Sequence, residues 1–139
     1  MGSRVLVPVD GSKMAERALE YAFGIYPDAE ITVLHVVGEP SSMMGQATGL
    51  ALEDDVERAA EEYAQDALDA AREIAADYDR EITTEVKVGH PARAIINRSE
   101  AFDAVVIGTH GGKLVDRLLV GNVAEAVFRR SPVPVTVVR

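Results

Sequence analysis

Apolar strand-like runs alternate with helix-period patterns along the whole chain. Val5-Leu6-Val7-Pro8-Val9 is a short β-rich run. Ser12 offers an N-cap hydroxyl for a helix through about Tyr26, with Ala15, Ala18, Leu19, Ala22 and Phe23 on one face and Pro27-Asp28 as its stop. Ile31 to Val37 is apolar apart from Thr32 and His35, as a parallel strand covered on both faces should be. From Glu53 to Tyr78 the positions Val56, Ala60, Tyr63, Ala67, Ala71, Ile74 and Tyr78 recur at steps of three and four, which predicts a long amphipathic helix with that stripe against the sheet. Ile82 to Val88 is a third strand, Pro91 opens a helix through about Ala101, and Ala104 to Ile107 is a fourth strand. A glycine-rich stretch from Gly108 to Gly121 leads into a helix from about Asn122 to Arg130 and a last strand, Val133 to Val138. This order, with crossovers long enough for parallel strands, predicts an α/β fold: one doubly wound, five-stranded parallel sheet with four helices, forming a single domain over residues 1–139.

Residues 38–52 interrupt the alternation with a linker longer than most loops of compact domains, either a functional lid or a disordered segment. Charge sharpens the picture once it is divided along the chain. The net charge is -9, but residues 1–52 hold six acids and three bases, residues 53–81 twelve acids and three bases, and residues 82–139 five acids and eight bases. An acidic balance of this size argues against adhesion to nucleic-acid phosphates or to an anionic membrane. The acids concentrate on the long helix, where Glu57, Glu61, Asp66, Asp69 and Glu73 fall on a solvated face, and the glycine-rich end is left mildly basic. Three lysines against eleven arginines, with this acid excess, also fit a salt-adapted protein.

Cysteine is absent, which excludes a disulfide framework, a thiolate nucleophile and a Cys-based zinc site. No secretory signal pattern is present and no stretch approaches the roughly 18 apolar residues of a membrane span, so a cytoplasmic location is expected.

Open parallel sheets bind ligands beyond the carboxyl ends of their strands, where the strand order reverses. With order 3-2-1-4-5 that crevice lies between strands 1 and 4. Asp10-Gly11-Ser12 follows strand 1 and Gly108-Thr109-His110-Gly111 follows strand 4, so the two should meet there. Glycines let backbone N–H groups approach an anion, and the helix starting near Asn122 adds unpaired N–H donors and a favourable dipole. Gly108, Gly111 and Gly121 therefore read either as a phosphate cradle or as ordinary turns at element ends. The dinucleotide G-x-G-x-x-G is absent, and Gly112-Lys113 lacks the rest of a P-loop. His110 could reach a phosphate or complete the turn, His35 reads as a hydrogen-bonded core residue and His90 as a loop residue; the three are too dispersed for a metal site.

Pro8-Val9-Asp10-Gly11-Ser12, Leu34-His35-Val36, the run from Gly108 to Asn122 and Arg130-Ser131-Pro132-Val133-Pro134-Val135 together resemble the universal stress protein family, whose members carry a Pro-x-Asp-x-Ser turn and a G-x2-G-x9-G-[S/T] signature. The resemblance covers nearly the whole chain and implies an adenine nucleotide alpha-hydrolase-like fold. It also implies ATP as ligand, with a divalent ion, Mg or Mn. On that resemblance Asp10 meets the ribose or the metal-phosphate region, and Pro8 belongs to the same turn. Val9 and Val36 would lend backbone groups to adenine recognition, and Ile107 would line the pocket. Gly108, Gly111, Gly121, Asn122 and Val123 would wrap the phosphates. The metal would meet Asp10 indirectly, through the phosphates. Asn122 departs from the signature, which has Ser or Thr there.

Catalytic signatures fail: there is no G-x-S-x-G elbow, no H-E-x-x-H helix and no acidic pair after strand 1. At most, slow ATP hydrolysis is expected. The expected function is a nucleotide-dependent regulatory protein in stress response, acting on a downstream protein partner that the sequence does not name. The alternative is an interaction module of the same fold that binds no nucleotide. The last strand is a sheet edge with an apolar run, Val133 to Val138, and Pro134 suits an edge, so a homodimer through it is expected.

Overall fold

The apolar runs become the strands β1 (Arg4–Pro8), β2 (Glu30–Val37), β3 (Ile82–Val88), β4 (Ala104–Gly108) and β5 (Val135–Val138). Between them lie α1 (Lys13–Ile25), α2 (Glu53–Asp77), α3 (Pro91–Ser99) and α4 (Asn122–Arg130). The computed structural model describes residues 2–37, 53–109 and 122–139. All strand pairs are parallel, in the order β3-β2-β1-β4-β5, as the doubly wound reading requires. The 38–52 linker lies outside the described residues.

Alternation along the strands divides the core into two layers. Val5, Val7, Ile31, Val33 and Val106 face α1 and α2, where Ala18, Leu19, Ala22 and Leu68 meet them. Leu6, Leu34, Val105 and Ile107 face α3 and α4, where Ile95 and Val127 meet them. The central strands are thus buried on both sides, which is why they read as near-continuous apolar runs.

Capping residues set the helix starts. Ser12 is the N-cap of α1, its Oγ accepting from the Ala15 N–H at 3.2 Å. His90 performs the same service for α3, its Nδ1 accepting from the Arg93 N–H at 3.4 Å, with Pro91 in the first turn. Two expectations from periodicity need correction. Among the described residues of α2, Ala67, Ala71 and Ile74 of the expected stripe do pack on the core, but Ala64, Leu68 and Ala75 are buried with them, and Tyr78 is 44% exposed and lies beyond the helix end. An alanine-rich helix carries adjacent apolar stripes, and the one that packs brings four alanines and Leu68 into the core. Val56, Ala60 and Tyr63 fall outside the residues whose side chains are described. The last strand begins at Val135 and not Val133, because Pro134 has no N–H to place in a ladder; its carbonyl still accepts from Val105 at 2.9 Å.

Side chains fasten the amino ends of the strands. Arg4 donates its backbone N–H to Asp103 and its guanidinium to the Ala101 carbonyl, both at 2.8 Å. Arg80 donates to the carbonyls of Phe23, Tyr26 and Ala29 and lies 5.0 Å from the centre of the Phe23 ring. Arg98 forks onto Glu85 through two bonds of 2.7 Å. The hydrogen bonds from Arg98 hold the Glu85 carboxyl below the usual glutamate range, against an opposing push from burial.

Candidate functional site

The strand order reverses at β1, and there the described residues leave a cavity of about 360 Å³ at the carboxyl end of the sheet. This size falls within the roughly 300–1,000 Å³ of small-molecule sites. The floor comes from the ends of β1, β2 and β4: Pro8, Val9, Leu34, Val36, Ile107 and Gly108. The turn after β1 contributes Asp10 and Ser12, and α1 contributes Ala15. Pro91 and Ile95 of α3 and Val123 and Ala124 of α4 complete the wall.

Of the residues singled out in the sequence, Pro8, Val9, Asp10, Val36, Ile107, Gly108 and Val123 meet at this cavity. Gly111 and Gly121 lie outside the described residues, as do His110, Lys113 and Arg117; Asn122 is the first residue of α4, but its side chain is not described. Ala15, Leu34, Pro91, Ile95 and Ala124 line the cavity without any motif to announce them. The only sequence signal for Pro91 was topological: a helix following a parallel strand begins at the same end of the sheet as the crevice.

The turn after β1 is shaped by its own short polar side chains. Asp10 Oδ1 accepts from the Ser12 N–H at 2.9 Å, and Gly11 between them has φ +85°, a left-handed conformation that glycine adopts without strain. Asp10 stays exposed and is the one ionisable residue among the described residues of the cavity wall. Gly108 has a packing reason. A Cβ there would meet the backbone of α1, pressing on the Met14 carbonyl oxygen and standing 2.7 Å from its carbon. The first turn of α1 can therefore approach β4 only because residue 108 lacks a side chain.

Backbone polarity decides what the floor can offer. Val9 donates its N–H to the Leu34 carbonyl at 2.8 Å, which fixes Leu34 as a residue whose backbone groups point toward β1. Groups alternate sides along a parallel strand, so Val36 points the same way, past the last paired residues Pro8 and Leu34. Its N–H and C=O therefore face the cavity that Val36 lines. Val9 differs, since its carbonyl also receives the Nδ1 of buried His35 at 2.9 Å.

Among the described residues, electrostatics at this end are set by helix ends more than by side chains. α1, α3 and α4 all begin beside the cavity, with their positive dipole ends toward it. The described acids of α2, including Asp66, Asp69 and Glu73, are exposed on its outer face. Among the described residues no group of three or more His, Asp or Glu side chains could hold a metal ion, and no helix is long and apolar enough to cross a membrane.

The family model of the universal stress proteins matches residues 1–139. The chain belongs to the universal stress protein family. Among curated relatives, the universal stress protein MJ0531 of Methanocaldococcus jannaschii is 32% identical over 98% of this chain and 81% of its own. The solved structure of hypothetical protein MJ0577 superposes with a TM-score of 0.78 at 25% identity, covering 99% of this chain and 96% of that one. A universal stress protein solved in complex with cAMP gives a TM-score of 0.72 at 25% identity, covering 99% and 97%. These neighbours share the adenine nucleotide alpha-hydrolase-like fold.

Proposed function

We propose that this universal stress protein binds ATP with a divalent ion, Mg or Mn, in the cavity between the ends of β1 and β4, and acts as a nucleotide-dependent regulatory dimer in stress response. The observation that carries the reading is the make-up of that cavity. Apolar walls from Leu34, Ile95 and Ile107 suit a purine face, the Val36 backbone offers a donor and an acceptor side by side, and Asp10 stands at the rim for a ribose hydroxyl. The start of α4 at Val123 and Ala124 suits the phosphates, which favour a helix amino end. The cAMP complex of a relative with the same fold supports an adenine nucleotide.

One carboxylate does not make a protein cage for a cation, and Asp10 already accepts from Ser12. The ion would therefore arrive on the triphosphate, whose charge it would neutralise, and would meet Asp10 only indirectly, through the phosphates. Dimerisation is assigned to β5. It is a sheet edge of four uncharged, half-buried residues, Val135-Thr136-Val137-Val138.

Calorimetric titration with magnesium and ATP tests the binding. Saturable heat below millimolar nucleotide is expected, and no heat at millimolar ATP would refute it. Asn122→Ser should leave affinity within a few-fold; a large gain would favour the interaction module that binds no nucleotide. Light scattering at micromolar protein should give the mass of a dimer, and a monomer would remove β5 from the account.

A further inference from the structure

The ladder between β1 and β2 stops one bond short of where its register would carry it. With Pro8 opposite Leu34, Val9 stands opposite His35, and the regular parallel pattern would run from the Val9 N–H to Leu34 and from the Val36 N–H to Val9. The first bond is made, at 2.8 Å. The second is not found among the described residues; the Val9 carbonyl receives the His35 ring instead, at 2.9 Å. A carbonyl only accepts, so Nδ1 carries the hydrogen. His35 is 7% exposed and Val9 8%, so the bond forms inside the core, where an unmet carbonyl is costly.

We propose that His35 is a positioning residue for the nucleotide site: its Nδ1–H satisfies the Val9 carbonyl in place of the Val36 N–H, and so keeps the Val36 N–H open to a purine ring nitrogen. The imidazole performs two tasks at once. It holds the β1 end, and with it the Asp10 turn, against β2, and it prevents the sheet from closing over its own base-binding donor. This role rests on the adenine-nucleotide reading of the cavity, but its structural half stands in the ligand-free protein.

The test compares His35→Leu, which removes the donor, with His35→Asn, whose side-chain amide nitrogen sits on Cγ as Nδ1 does. In the ligand-free protein, Val36 amide exchange measured by NMR should be fast in the natural chain and in His35→Asn. It should slow at least about tenfold in His35→Leu as the Val36 N–H turns to the Val9 carbonyl. Calorimetry with magnesium and ATP should show affinity lowered about tenfold in His35→Leu and restored to within about threefold in His35→Asn. Unchanged Val36 exchange in His35→Leu, or equal loss of affinity in both variants, would overturn the proposal. Failure of the natural protein to bind ATP would refute the functional reading, and the exchange comparison would still decide what His35 does.

Discussion

At the amino ends of the strands, Arg4, Arg80 and Arg98 draw carbonyls, carboxylates and aromatic faces together across several elements. At the carboxyl ends no cationic side chain plays that part among the described residues: Asp10 accepts from the Ser12 N–H within the turn after β1, and the His35 ring meets the Val9 carbonyl. One end meets its backbone groups with long cationic side chains. The other leaves strand and helix groups facing a cavity. The contrast separates the two ends: changes at the amino end should alter stability and leave ligand affinity alone, while ligand affinity should respond to changes at the carboxyl end.

Gly108→Ala should break this separation most severely. Its Cβ would meet the α1 backbone, which cannot yield as a side chain can, so a loss of about 3 kcal/mol or more is expected in urea unfolding, together with loss of ligand binding. A variant as stable as the natural protein would mean that α1 and β4 can part freely. Arg80→Ala should come next, at about 2 kcal/mol, since three carbonyls lose a partner and Phe23 loses its cation. Nucleotide affinity should not change. Any shift beyond about twofold, a few tenths of a kcal/mol, would show that the two ends communicate.

Glu85→Gln should cost about 1 kcal/mol, because its partner Arg98 stays partly buried without a counter-charge. The Glu85 carboxyl is lowered by folding, so its contribution is complete above the unfolded glutamate value of about 4.3 and disappears as pH falls through the lower folded value. Natural and variant proteins should therefore differ at pH 7 and converge in acid; a gap that widens on acidification contradicts the ion pair. Ser12→Ala should have the smallest effect in urea unfolding, at most about 1 kcal/mol for the lost α1 cap, while the Asp10 turn, which takes the backbone N–H of residue 12, should persist.

The strands and helices were legible because each carries its own period and stop signal, and Asp10 and Gly108, from two separate motifs, both line the cavity. Other features depended on tertiary placement. Ala15, Ile95 and Ala124 look like ordinary core residues along their helices and reach the cavity only through the angle at which those helices meet the sheet. The Ala64, Leu68 and Ala75 stripe was hidden for a related reason: in an alanine-rich helix several faces are apolar, and the sheet selects among them. His35 is hydrogen-bonded in the core as its strand position suggests, but its partner, Val9, lies just past the end of β1, far away in sequence. Gly108, whose sequence context offers a turn or a cradle, has a packing reason that only the α1 backbone beside it supplies.

The central claim is that an adenine nucleotide occupies the open end of the sheet. Amide chemical-shift mapping during titration with magnesium and ATP tests it most directly. Shifts should concentrate at Asp10, Ala15, Val36, Gly108 and Val123 and be absent at Arg4, Ala101, Phe102 and Asp103. Shifts centred on the amino end, or none at millimolar nucleotide, would contradict the account.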